Sequence, residues 1–339
     1  MTRSNPLRCA VIGAGSFGTC LAVLLAERDY SVELWARDPV LAEAVNRHRR
    51  NPRYLSDFKL AENVHATDSL EEALADAELV VSVVPSHAVR DVWSQAAAYL
   101  RPDALIVSGT KGIEVGTGML VSQVLGDVLP AGVQERVVVL SGPSFAREIA
   151  EHRPTGVSVA CANEGFAIAA QSLLSSPLFR CYSNTDVVGV ELGGALKNVI
   201  ALAVGFVDGM QLGLNARATL ITRGLAEITR LGVKLGANPV TFQGLAGVGD
   251  LVLTCTGELS RNRRVGLEIG QGRRLDDILA DMNQVAEGVR TARSAFELSQ
   301  RLGVDMPITE QAYRVLYEGQ EPVQAIGNLT TRQLRSEHE

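Results

Sequence analysis

Gly13-Ala14-Gly15-Ser16-Phe17-Gly18 decides how this chain is to be read. It follows the apolar run Leu7 to Ile12 and opens a helical pattern from Gly18 to Arg28, after which Ser31 to Ala36 reads as a second strand. In a strand–turn–helix setting each glycine has a physical task. The first permits the tight turn, the second lets the backbone approach a pyrophosphate, and the third lets helix and strand pack closely. The helix start then turns free N–H groups toward the phosphates. The bare pattern is common by chance, but this context predicts a dinucleotide site at Gly13, Gly15, Ser16, Phe17 and Gly18 rather than a merely tight turn.

The end of the second strand bears on which dinucleotide is taken. NAD binders usually carry an acid about 20 residues beyond the glycines, on the ribose 2′-hydroxyl. Here Val-Glu-Leu-Trp-Ala ends in Arg37, with Asp38 following, and Glu33 lies too early in the strand. A guanidinium forks well onto a phosphate. NADP(H) is therefore favoured and NAD(H) remains possible; a solvated surface arginine is the plainer alternative.

Outward from this unit, short apolar runs recur at Leu79–Val84, Ala104–Ser108, Val137–Leu140, Val157–Ala160 and Phe179–Tyr182, with helical patterns such as Val89–Leu100 between most of them. Continuous runs such as Leu-Val-Val-Ser-Val-Val mark strands buried on both faces, hence a parallel sheet. After about Asp186 the strands stop and helical patterns take over at 187–208, 216–231, 286–302 and 308–318. The expected architecture is an α/β Rossmann-type parallel-sheet domain over residues 1–185 and an all-α C-terminal domain over 186–332, with a polar tail from 333 to 339. A chain of 339 residues is long enough for two such cores.

Composition narrows the function. Hydrophobic residues make up 46% and charged residues 21%, as in ordinary globular chains. A net charge of −6 argues against a general nucleic-acid binder. The five cysteines form no CxxC pair, so neither a disulfide framework nor a metal site is expected, and a reducing cytoplasm fits. The run from Val187 to Asp208 has the length of a membrane span, yet Glu191, Lys197 and Asn198 interrupt it, which predicts a core helix.

In open parallel sheets ligands bind outside the carboxyl ends of strands. Pro85-Ser86-His87, Gly109-Thr110-Lys111-Gly112 and Ser141-Gly142-Pro143-Ser144 all fall there. Lys111, flanked by glycines, is the strand-end cation expected to reach a ligand. Lys197 is more telling. Its helical neighbours at three and four positions are Gly193, Gly194, Ile200 and Ala201, none of them an acid. A lysine so placed is desolvated, its pKa falls, and it is prepared for proton transfer; the alternative is a lysine snorkelling from a domain edge. Gly193-Gly194 is read as leaving room for a ligand. Further on, Gly244 to Thr256 reads as a loop rich in backbone donors and hydroxyls. Ser260-Arg261-Asn262-Arg263-Arg264 suits a phosphate, whereas Arg47-His48-Arg49-Arg50 reads as a solvated face.

Taken together, GAGSFGT, VVPSH, GTKGIE, SGPSFA, GGALKNVIA, ARATLITRGLAE, GLAGVGDLVLTCT, SRNRR and MPITEQAY, in order from residue 13 to 313, resemble the bacterial NAD(P)-dependent glycerol-3-phosphate dehydrogenases. GGALKNV and LTCT with SRNRR are the specific parts. The resemblance implies a Rossmann domain followed by a 6-phosphogluconate dehydrogenase-like helical domain. It implies Lys197 as the catalytic proton acceptor and Lys111 at both cofactor and substrate. Gly142, Ser144, Asp250, Ser260, Arg261 and Asn262 fall at the substrate, Lys197 touching it too, and Ala146, Arg261, Val285 and Glu287 at the cofactor. It also implies a phosphorylated small-molecule substrate, dihydroxyacetone phosphate and sn-glycerol 3-phosphate, serving glycerophospholipid synthesis. Departures are Ser56 where the family often has proline and Leu60-Ala61 for Leu-Pro, both in a loop. The rival readings are a β-hydroxyacid or 6-phosphogluconate-type dehydrogenase and a non-catalytic dinucleotide-sensing module. No metal, nucleic-acid partner or membrane span is expected, and the oligomeric state is left open, a homodimer included.

Overall fold

In a computed structural model of the chain the described residues are 6–282, 286–334 and 336–337; Val285, expected at the cofactor, lies outside them. The chain divides into two compact units. One comprises the residues up to Lys111 together with Met119–Glu191, the other Gly112–Gly118 together with the residues from Leu192 onward.

The first unit is built on a sheet of β1 (Arg8–Ile12), β2 (Ser31–Trp35), β3 (Val64–Thr67), β4 (Leu79–Ser82), β5 (Leu105–Ser108), β6 (Val137–Ser141), β7 (Thr155–Ala160) and β8 (Phe179–Asn184). Their spatial order is β3-β2-β1-β4-β5-β6-β7-β8, the doubly wound arrangement about β1 and β4. All neighbours run parallel except β6 and β7. Along β1, Cys9 and Val11 enter one core and Ala10 and Ile12 the other, because successive strand side chains point to opposite faces. The first core is covered by α1 (Ser16–Ala26), α2 (Pro39–His48), α6 (Ala146–Ala150) and α7 (Glu164–Leu174); the second by α3 (Leu70–Leu74), α4 (Val89–Ala96) and α5 (Val121–Val128). The short β3, with only Val64, Ala66 and Thr67 buried, gave no signal in the sequence.

The basic run Arg47–Arg50 is not simply a solvated face. Arg49, in left-handed conformation at the end of α2, donates to the carbonyls of Ala61 and Val64, and Arg50 to those of Ser56 and Asp57. These guanidiniums tie together the irregular segment between α2 and β3, from the Ser56 and Asp57 carbonyls to that of Val64 at the start of β3.

The second unit is helical: most of α8 (Val187–Gly209), then α9 (Leu214–Lys234), α10 (Asp250–Thr256), α11 (Arg261–Gly270), α12 (Leu275–Ala280), α13 (Glu287–Leu302), α14 (Pro307–Tyr317) and α15 (Pro322–Thr330). α8 is long and apolar enough to cross a membrane, but 89% of its most apolar window is buried inside the protein, as a core helix requires. It meets α11 backbone to backbone. A Cβ at Gly205 would stand 2.3 Å from the Arg263 carbonyl oxygen, and one at Gly266 2.1 Å from that of Leu202; Gly209 and Gly270 repeat the contact one turn on. Only glycine tolerates such an approach. The stretch expected as a loop after Gly244 is a turn kinked at Gly247 (φ −96°, ψ −105°) over Leu245–Gly249, and from Asp250 it is the helix α10. Asp250, Leu251, Thr254 and Cys255 are its buried face.

Two buried carboxylates hold helix starts. Glu191 accepts from the Ser122 amide at 2.8 Å and from its hydroxyl, at the beginning of α5. Glu227 on α9 accepts from the amides of Ile308 and Thr309 and the Thr309 hydroxyl, at 2.5, 3.1 and 3.0 Å, at the beginning of α14. Burial pushes each from the ordinary 4.5 to about 7. Between those values the folded chain binds more protons here than the unfolded chain, so this part of the stability is present at low pH and is lost as pH rises through 7. Glu227→Gln should flatten that slope by up to about 1.4 kcal/mol per pH unit, the worth of one proton. Denaturant unfolding at several pH values from 4.5 to 7.5 measures it; an unaltered slope would remove Glu227 from the linkage.

Candidate active site

The glycine turn has the geometry its sequence predicts. Gly13 sits at φ +118° and donates to the Trp35 carbonyl at 3.1 Å. A Cβ at Gly18 would fall 1.8 Å from the Gly13 carbonyl oxygen, whereas one at Gly15 would meet nothing within 4 Å. The turn is thus closed underneath and open above. Gly15 caps α1 without a side chain, and the first turn, beginning Ser16-Phe17, holds no acid, so its free N–H groups suit an anion. These residues fit a dinucleotide pyrophosphate. Phe17 packs over Gly109, where a Cβ would come within 3.0 Å of the ring. Arg37 is exposed and makes no hydrogen bond or ion pair among the described residues.

At the carboxyl ends of β5 and β6 the structure joins three of the expected residues. Lys111 Nζ donates to the Gly142 carbonyl at 3.3 Å, and Ser144 Oγ donates to the same oxygen at 2.8 Å. Gly142, at φ +142°, lies so close to β7 that a Cβ would stand 2.9 Å from the Val157 Cα. Ala146, partly buried, opens α6.

In the helical unit Lys197 is buried, 7% exposed, and Asp250 wholly so. Their side chains form an ion pair, Lys197 Nζ donating to Asp250 Oδ1. The helical neighbours gave Lys197 no acid; α10 supplies one from 53 residues away. The expectation of a lysine desolvated without a partner is therefore corrected: its ammonium is desolvated and compensated at once. The expected ligand space at Gly193 is corrected as well, for a Cβ there would stand 2.2 Å from the Ala246 carbonyl oxygen. The glycine exists so that the turn carrying Asp250 can press against α8.

Around the pair, Thr254 Oγ1 donates to the Asp250 carbonyl at 2.6 Å and lies 3.4 Å from its carboxylate. Asn198, beside Lys197, accepts from Asn262 Nδ2 at 2.8 Å, and Asn262 Oδ1 accepts from the Gly288 amide at 2.9 Å. Ser260 is the N-cap of α11, its hydroxyl accepting from the Arg263 amide at 3.3 Å. Arg261 is exposed on the first turn of that helix, and Glu287 begins α13 partly buried. Arg263 turns inward instead and pairs with Asp208 at 2.7 Å. Asn198 and Thr254 had no assigned role in the sequence; their signal was position, one beside the lysine and the other one helical turn beyond the aspartate.

A doubly wound sheet with this turn, and a helical unit with a buried lysine–carboxylate pair, define an NAD(P)-dependent oxidoreductase. The chain belongs to the NAD-dependent glycerol-3-phosphate dehydrogenase family, whose N-terminal model matches residues 8–167 and whose C-terminal model matches residues 186–327. It is similar to glycerol-3-phosphate dehydrogenase [NAD(P)+] of Myxococcus xanthus, 54% identical over 331 residues, 98% of this chain and 99% of that one. The Geobacter metallireducens enzyme of the same name is 54% identical over 330 residues, 97% and 98% of the two chains. Among solved structures, glycerol-3-phosphate dehydrogenase from Coxiella burnetii superposes with a TM-score of 0.92 at 38% identity, covering 96% of this chain and 99% of that one.

Removing one member of a buried ion pair leaves the other charge without compensation, at a cost of about 3–5 kcal/mol. Asp250→Ala should therefore destabilise the chain by that order in denaturant unfolding, and Lys197→Met added to it should recover much of the loss. Additive losses in the double variant would mean that the pair contributes nothing as a pair.

Proposed function

We propose that this chain interconverts dihydroxyacetone phosphate and sn-glycerol 3-phosphate, with NADP(H) favoured and NAD(H) accepted. The observation that carries the proposal is the buried Lys197–Asp250 pair in a chain of this family. The bound nicotinamide supplies the hydride chemistry. The chain's own residues bind, orient and move the proton. Lys197 gives a proton to the C2 oxygen in reduction and takes it back in oxidation, while Asp250, with Thr254 bonded to it, holds Nζ in place. Lys111, with Gly142 and Ser144 beside it, serves both ligands. Gly13, Gly15, Ser16, Phe17 and Gly18 hold the pyrophosphate and Arg37 the 2′-phosphate, with Ala146, Glu287 and Val285 as further cofactor contacts. Ser260, Arg261 and Asn262, at the N-terminus of α11, receive the substrate phosphate, where helix amides and a guanidinium both favour an anion. The five free cysteines, all buried, suit a reducing cytoplasm, where the product would enter glycerophospholipid synthesis.

The direct test is oxidation of NADPH and NADH with dihydroxyacetone phosphate, set beside β-hydroxyacids and 6-phosphogluconate. Lys197→Ala should keep NADPH binding and lose about 10²–10⁴-fold in turnover, the worth of a positioned general acid–base; near-normal turnover would exclude Lys197 from proton transfer. Arg261→Ala should raise KM for dihydroxyacetone phosphate by about tenfold or more, since a charge-assisted bond is worth about 1.5–3 kcal/mol. The same variant should affect unphosphorylated dihydroxyacetone far less. Equal losses on both substrates would place the phosphate elsewhere, with NADPH affinity measured in parallel to exclude a cofactor effect.

A further inference from the structure

Asp38 lies three residues past β2, at the N-cap of α2 and 20 residues beyond Gly18, close to the place where a dinucleotide fold carries the acid that holds the ribose 2′-hydroxyl of NAD. An uncompensated carboxylate at that point repels a 2′-phosphate. Both of its oxygens are engaged. Oδ1 accepts from the Val40 amide at 3.0 Å as the N-cap of α2, and Oδ2 is paired with Arg53 Nη2 at 2.6 Å. Arg53 holds the Asp38 carboxyl below the usual carboxylate range, so the group stays charged and paired.

The loop that presents Arg53 is built onto the glycine turn. Asn51, wholly buried, accepts from the amides of Arg53 and Tyr54 at 3.1 Å each, and donates to the Ala14 carbonyl at 2.9 Å and the Thr19 hydroxyl at 2.8 Å. One carboxamide therefore ties the backbone of Arg53 to the turn expected to hold the pyrophosphate. Arg50 braces the same loop at the carbonyls of Ser56 and Asp57. The Arg53–Asp38 pair itself is solvated, 54% and 36% exposed, and solvated pairs add little to stability. Its effect lies in the local field. With Asp38 neutralised, Arg37 next to it, which has no ion-pair partner among the described residues, leaves this edge of the cofactor site cationic.

We propose that Arg53 is a cofactor-selecting residue: by neutralising Asp38 it admits the 2′-phosphate of NADP(H) to a site whose aspartate alone would favour NAD(H). This rests on Arg37 receiving the 2′-phosphate, as proposed above. The test is direct binding of NADPH and NADH, followed by nucleotide fluorescence in the absence of substrate. Arg53→Ala should weaken NADPH by about tenfold and leave NADH within about twofold, the size expected for one solvated charge beside another. Adding Asp38→Asn, which keeps the helix cap and removes the charge, should restore most of the NADPH affinity. Equal loss for both nucleotides, or no restoration by Asp38→Asn, overturns the proposal. Arg37→Ala measured alongside separates the two ideas. If Arg37→Ala discriminates between the nucleotides and Arg53→Ala does not, the Arg53 proposal alone fails. If Arg37→Ala does not discriminate, the assignment of the 2′-phosphate to Arg37 fails.

Discussion

An ammonium group buried in a helical core has to be met by a carboxylate, and the helical unit is arranged so that Lys197 meets Asp250. The helix that carries the lysine is otherwise apolar and serves as the core of its unit, which is why it passes for a membrane span by length and hydropathy. The aspartate begins a different helix, and it reaches the lysine only because Gly193 lets the turn before α10 touch α8 at backbone distance. Thr254 bonds the Asp250 main-chain carbonyl one helical turn on, and Asn198, next to Lys197, is held by Asn262, which the Gly288 amide holds in turn.

The sheet unit answers a different demand, that of bringing bare backbone close to a phosphate. Gly13, Gly15 and Gly18 divide this work between a left-handed turn, an open approach and a tight helix–strand contact. The turn is also clamped from outside by Asn51, whose carboxamide uses both its acceptor and its donor capacity. In both units glycine does the same physical job. It allows one backbone to stand where a methyl group would already collide, at Gly18 on Gly13 and at Gly266 on Leu202. A substitution by alanine at such sites acts through overpacking rather than through lost flexibility.

Most helices and the longer strands could be read locally: α8 and the runs around Val80 and Val138 as continuous apolar stretches, and α9 and α13 from apolar residues at helical spacing. β3 could not, having only four residues with one of them exposed. From Gly244 the glycines signal a loop, and the chain is indeed kinked at Gly247, but from Asp250 it is a helix whose buried face, Asp250, Leu251, Thr254 and Cys255, repeats at helical spacing. The basic run Arg47–Arg50 is exposed at Arg47, His48 and Arg50, as its charge suggests, but Arg49 and Arg50 also bond backbone carbonyls between Ser56 and Val64, which charge alone does not indicate.

By itself the sequence determined what local spacing can encode: the glycine turn on its strand, the change from sheet to helices, and a lysine with no acid three or four positions away on its helix. These depend on residues within a few positions of one another, where backbone geometry is set by steric rules that hold in any fold. Only the tertiary structure decided which acid meets Lys197, which arginine meets Asp38, and which of the arginines after Ser260 turns inward to Asp208 and which stays exposed. Such pairings join side chains 53, 15 and 55 positions apart. Coulomb attraction and burial act on distance in space, and that distance is defined only after the chain has packed.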